Sequence, residues 1–152
     1  MGYRTTRIEK AEKDNGILSP DYCLAHFMRG VVLHLIIFPE PHVKLDPPEC
    51  PLPQEEAIAE AQSALRFVLD NSQKLELDHQ IAYFAHYEYA RLLTKLGKEH
   101  YPEARTHLTT VLESKVALGP TKGKGKVSLQ NVAVLRSNAA CEWNGQPGSL
   151  SW

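Results

Sequence analysis

The chain has 152 residues, 17 Lys+Arg against 18 Asp+Glu, a formal net charge of −1 and 43% apolar residues. This is the composition of one ordinary globular domain, long enough to bury roughly 68–70% of its unfolded surface without a disulfide or a metal. The charge balance excludes a general nucleic-acid binder, which needs a basic excess to displace counterions from phosphates.

Residues 1–18 are polar and read as a flexible N-terminal segment without the apolar core of a secretory signal. Ser19-Pro20-Asp21 then opens a helix: Ser19 can cap free N–H groups, Pro20 suits the first helical position, and Asp21 favours the positive end of the dipole. This helix is predicted from Pro20 to about Phe38. Its apolar run Val31 to Phe38, broken by His34, is far shorter than the roughly 20 residues a bilayer span needs, so it predicts a buried helix end and no transmembrane span. Residues 39–53 carry six of the ten prolines and predict an extended loop.

A second helix is expected from Gln54 to about Asn71, with Glu55 and Glu56 in its first turn and Ala57, Ala61, Ala64, Leu65 and Val68 at three- and four-residue spacing. A polar turn, Ser72 to Glu76, leads to a third helix with Asp78 as N-cap, ending at Leu96 before Gly97. Tyr101-Pro102-Glu103 opens a fourth, ending near Ser114. Gly119–Gly125 reads as a flexible loop, Ser128 to about Cys141 as a fifth helix, and 142–152 as a disordered tail. No segment alternates as a strand does. The expected fold is all-α, with about five helices in one domain over 19–141.

The second and fourth helices share a pattern. Ala57, Ala61, Ala64 and Leu65 recur at the offsets of Ala104, Leu108, Val111 and Leu112, and each set follows a Glu. The first and third helices share a small residue followed by Leu: Gly30 with Leu33, and Ala90 with Leu93. This is the grammar of a tetratricopeptide-like helical repeat, in which small residues of helix A and helix B allow close approach and larger ones fill the space between pairs. The stretch 90–112, with Ala90, Leu93, Leu96-Gly97, Ala104, Leu108 and Val111 in order, carries it best, although its A–B turn is two residues longer than the standard form. The bland alternative is an amphipathic helical bundle without repeat ancestry.

Tyr89 to Leu112 (YARLLTKLG…EARTHLTTVL), followed by a short loop and the segment Ser128-Leu129-Gln130 … Leu135-Arg136-Ser137-Asn138-Ala139-Ala140, resembles the end of the fungal inclusion-body-clearance proteins and of the related tetratricopeptide repeat protein 39 family of animals. The resemblance covers roughly 19–141 and is to the C-terminal part of a longer member. It implies a cytoplasmic scaffold, at the mitochondrial or lipid-droplet surface, that helps clear misfolded inclusions. It implies no catalytic residues.

The residues themselves offer little chemistry. Three cysteines (Cys23, Cys50, Cys141) at wide spacing are no disulfide framework and point to a reducing compartment. None of the seven histidines pairs with another at three- or four-residue spacing, so no metal ligand set and no cofactor is expected. GPTKGKGK fails the phosphate-loop spacing, and its Lys122, Lys124 and Lys126 read as solubilising. Protein–protein binding is the expected function. Candidate partner surfaces are the aromatic cluster Tyr83, His86, Tyr87 and Tyr89, whose rings more readily pack between helices, and Val132 and Leu135 of the fifth helix, through which self-association is expected. Two readings compete: a membrane-surface protein using Lys122–Lys126, and an enzyme using Cys23 and His26.

Overall fold

The computed structural model describes residues 20–40, 52–75, 78–113, 115–116 and 130–144. All regular structure among them is helical: α1 (Pro20–Ile37), α2 (Gln54–Asn71), α3 (Gln80–Leu96), α4 (Tyr101–Leu112) and α5 (Gln130–Asn144), with 3-10 turns at Ser72–Lys74 and Lys98–His100. Acidic residues open α1, α2 and α4 (Asp21, Glu55 and Glu56, Glu103), where the helix dipole favours them. The 3-10 turn after Gly97 absorbs the two additional residues of the second A–B turn. Gly97 has φ 151° and ψ 168°, a region open essentially to glycine alone.

Helices pair in sequence: α1 packs on α2 and α3 on α4. Between pairs, α2 meets α3 and α4 meets α5, while α1 also touches α3 and α3 touches α5. The first helices of successive pairs thus touch one another, and each second helix packs on the first helix that follows it, as in a helical repeat. Gly30 is the point of closest approach in the first pair. A Cβ there would lie 2.6 Å from Leu65 Cγ and 3.3 Å from the Ala61 carbonyl oxygen. In the second pair Ala90 and Ala104 are both fully buried, in one core with Ala61, Leu65, Leu93 and Leu108. Ala57, Ala64 and Val111 are buried as well. Of the positions that the repeat pattern singles out, the small residues and Leu65, Leu93, Leu108 and Val111 are inside, while Leu33, Leu96, Leu112 and the turn residue Gly97 are half-buried.

The departures have local causes. Asp78 is not the N-cap of the third helix: it adopts φ 56°, and α3 starts at Gln80 after His79, which makes no side-chain cap. The turn before it is less polar in effect than in composition. Leu75 is fully buried beside Cys23, and Ser72 turns inward to donate to the Leu69 carbonyl. The apolar run at the end of α1 is inverted, with His34 1% exposed but Val32 and Leu35 46% and 39% exposed. His34 lies near the buried Glu88 carboxylate of α3, 3.8 Å away, with its Nδ1 unpaired by any hydrogen bond among the described residues. The fifth helix continues past Cys141 through Trp143 to Asn144, so 142–144 are helical and not part of a tail, and the rest of the expected tail, 145–152, lies outside the described residues. The N-terminal segment, most of the Pro-rich loop, the loop with Lys122–Lys126, and Ser128-Leu129 lie outside the described residues.

Candidate functional site

The central helix α3 faces three ways and distributes its polar side chains accordingly. Toward α1, Glu88 is 6% exposed; its carboxylate lies 3.8 Å from His34 Nδ1 and accepts from Arg91 at 3.2 Å. Arg91 reaches on to Glu40 at 3.4 Å. A buried carboxylate is tolerable only with such partners. The Glu88–Arg91–Glu40 chain of charges ties the start of the Pro-rich loop to α3.

Toward α2 and α4, Tyr89 is buried, and its hydroxyl accepts from Arg66 Nε at 2.7 Å. Arg66 also pairs with Glu103 at 3.4 Å, which links the two second helices across the repeat. Burial pushes the Tyr89 phenol up, and the Arg66 hydrogen bond opposes it. Tyr83 is buried with Val111, Val116 and Ala133. His86 stands 2.8 Å from His107 of α4, ring nitrogen to ring nitrogen, and His107 meets Tyr89 edge-on. Tyr83, His86 and Tyr89 are therefore interhelical packing residues, and the expected aromatic partner surface reduces to Tyr87.

The His86–His107 contact requires one ring nitrogen to donate and the other to accept, so both rings cannot be charged. Burial, and then the His107 charge, lower the His86 pKa to about 4; His107 is lowered as well, chiefly by burial. Neutral imidazole is thus favoured in the folded state. Stability is complete above the ordinary His value near 6.5 and falls as the pH drops toward 4. A loss of about 3 kcal/mol corresponds to the His86 displacement. Thermal melts from pH 7 to 4 should show a declining midpoint, with a shallower decline in His107→Gln. A midpoint independent of pH over that range would contradict the pairing.

Toward α5, α3 lines a groove of about 300 Å³. Its floor is Ala90 and Leu108 with Ala140 of α5; its walls are Tyr87, Arg91, Thr94, Lys95 and Arg136, with Glu40 at one side. The small side chains of Ala90 and Ala140 leave this space open between α3 and α5. The guanidinium carbons of Arg91 and Arg136 both approach the Tyr87 ring, at 5.8 and 6.0 Å from its centroid. Burial pushes the Tyr87 phenol up. Tyr87, Arg91 and Lys95 follow each other at four-residue spacing, which puts them on one helix face. Arg136 comes from the segment that carries the family resemblance, but sequence pattern gives no hint that it meets Tyr87.

On α5, Ala133, Ser137 and Ala140 turn inward, while Val132 and Leu135 are 39% and 69% exposed. On α1, Leu24, Met28, Val32 and Leu35 form a second exposed apolar stripe at helical spacing. If the α5 face drives self-association, light scattering after size exclusion should give a mass above the monomer at micromolar concentration. Val132→Glu/Leu135→Glu should return it to monomer; a monomeric wild type would refute that role. Cys23 is fully buried, and the His26 ring stacks on Phe67 at 4.2 Å. Among the described residues no three His, Cys, Asp or Glu side chains could hold a metal ion, and no helix is long and apolar enough to cross a membrane. Comparison of the chain with protein-family models, curated proteins and solved structures finds no match in any of the three.

Proposed function

We propose that the chain is a non-enzymatic, tetratricopeptide-type scaffold that binds other proteins in the groove between α3 and α5. The observation that carries the reading is the groove itself. It is a recess of about 300 Å³ with an apolar floor and a rim of Tyr and Arg side chains, the residue types that dominate protein-binding hot spots. Its size suits one or two side chains of a docked segment, at the lower limit for small-molecule sites. The resemblance over 19–141 directs the proposal toward partners that clear misfolded inclusions, in the cytoplasm at an organelle or lipid-droplet surface.

The test is a quantitative pull-down with wild type and a Lys95→Glu/Arg136→Glu variant, each confirmed to be folded by circular dichroism. A subset of captured proteins should be lost by the variant and should bind purified wild type directly. Identical captured sets would overturn the groove as the binding site.

A further inference from the structure

We infer that the α3–α5 groove takes an acidic peptide segment, one that places an apolar side chain on the floor and a carboxylate beside it. This rests on the groove being a protein-binding site. Three cations rim the groove, and they are not equivalent. Arg91 is already matched by Glu88 at 3.2 Å and Glu40 at 3.4 Å. Among the described residues, Lys95 and Arg136 have no carboxylate partner. Arg136 is instead held over the Tyr87 ring, which orients its planar fork without satisfying its donors. Glu40, the acidic residue among the described lining residues, and Glu88 are both engaged by Arg91, so among the described lining residues the unmatched charge is positive. An incoming carboxylate would complete the pairing of Lys95 and Arg136, as a bidentate contact with the guanidinium.

The floor decides the rest of the ligand. Ala90, Leu108 and Ala140 back the groove with apolar atoms, and the half-buried Tyr87 ring is the apolar surface that an isolated anion would leave wet and an apolar side chain next to the carboxylate would cover. A flat membrane surface cannot enter a recess between two helices. The ligand that fits both parts is a segment in which acidic and apolar residues alternate.

The test is fluorescence anisotropy with a fluorescein-labelled peptide of alternating Glu and Leu, beside Gln/Leu and Lys/Leu peptides and free glutamate as a competitor. The Glu/Leu peptide should bind the wild type best. Its affinity should fall with added salt and drop by about tenfold or more in Lys95→Gln/Arg136→Gln. Free glutamate should not displace it. Arg136 is exposed, so Arg136→Gln alone keeps the test valid should the double variant lose its helical circular dichroism. Binding of the Gln/Leu peptide as tight as that of the Glu/Leu peptide, or Glu/Leu binding unchanged in the variant, would overturn the acidic preference while leaving the groove as a protein-binding site. Binding of no peptide would also overturn the inference. Failure of the broader reading is a separate result, seen as identical pull-down sets for wild type and the charge-reversed variant.

Discussion

Ala104→Asp is expected to abolish cooperative folding. Ala104 opens α4, has no exposed surface, and lies in one core with Ala61, Leu65, Tyr89, Ala90, Leu93 and Leu108. None of these presents a cation to a new carboxylate. Burying an unpaired polar group costs from about 2 to 7 kcal/mol, and an ionised one more, so the acid would either stay protonated at neutral pH or prise α4 from α3. Against a total stability of about 5–15 kcal/mol, either outcome removes much or all of the margin. Thermal circular dichroism is the measurement. A broad, non-cooperative loss of ellipticity is expected, and a wild-type midpoint would show that α3 and α4 do not meet at Ala104.

The second large effect concerns Gly30, where two opposing terms can be compared. In an exposed helix interior, Gly→Ala stabilises by about 1 kcal/mol. At Gly30 the new methyl carbon would sit 2.6 Å from Leu65 Cγ and 3.3 Å from the Ala61 carbonyl oxygen. Leu65 is itself fully buried and cannot swing away, and the carbonyl belongs to α2. The helices must move apart, at an overpacking cost of about 1–3 kcal/mol. Gly30→Ala should therefore be neutral to destabilising, against the usual sign, and Gly30→Val should lose about 2 kcal/mol or more. In a Leu65→Ala background, Gly30→Ala should recover its stabilising sign, a coupling that a double-mutant cycle in urea would detect. Additive effects of the two substitutions would contradict the close approach.

The helices and their pairing were largely legible because their signals are local. Pro20-Asp21 and Pro102-Glu103 announce helix starts, and Ala57, Ala61 and Ala64 share their offsets with Ala104, Leu108 and Val111. Small residues at fixed helical spacing have one economical use, which is to let another helix approach. The site was less legible because its parts meet across elements. His34 reads as an interruption of an apolar run, yet it is inside, 3.8 Å from Glu88 of another helix, while Val32 is outside. His86 and His107 lie on different helices, and no spacing rule connects them. Asp78 offers a capping side chain, but its carbonyl accepts from Ile81 in the turn preceding α3. The Tyr87–Arg91–Lys95 face was open to a sequence reading. What closes it into a groove is Arg136, and only packing of α5 brings that residue to Tyr87.

The most direct test of the protein-binding groove is site-specific photocrosslinking from α3 and from α4. A benzophenone amino acid at Thr94 would sit in the groove wall, and one at Thr106 on the exposed face of α4. Thr94 donates only to the Arg91 carbonyl within its own helix, so replacing it leaves the packing between helices intact. In cell extract, Thr94 should give discrete protein adducts that disappear when Lys95→Glu/Arg136→Glu is added, and Thr106 should give none of them. Adducts of equal yield from both positions, or adducts from Thr106 alone, would contradict a binding site between α3 and α5.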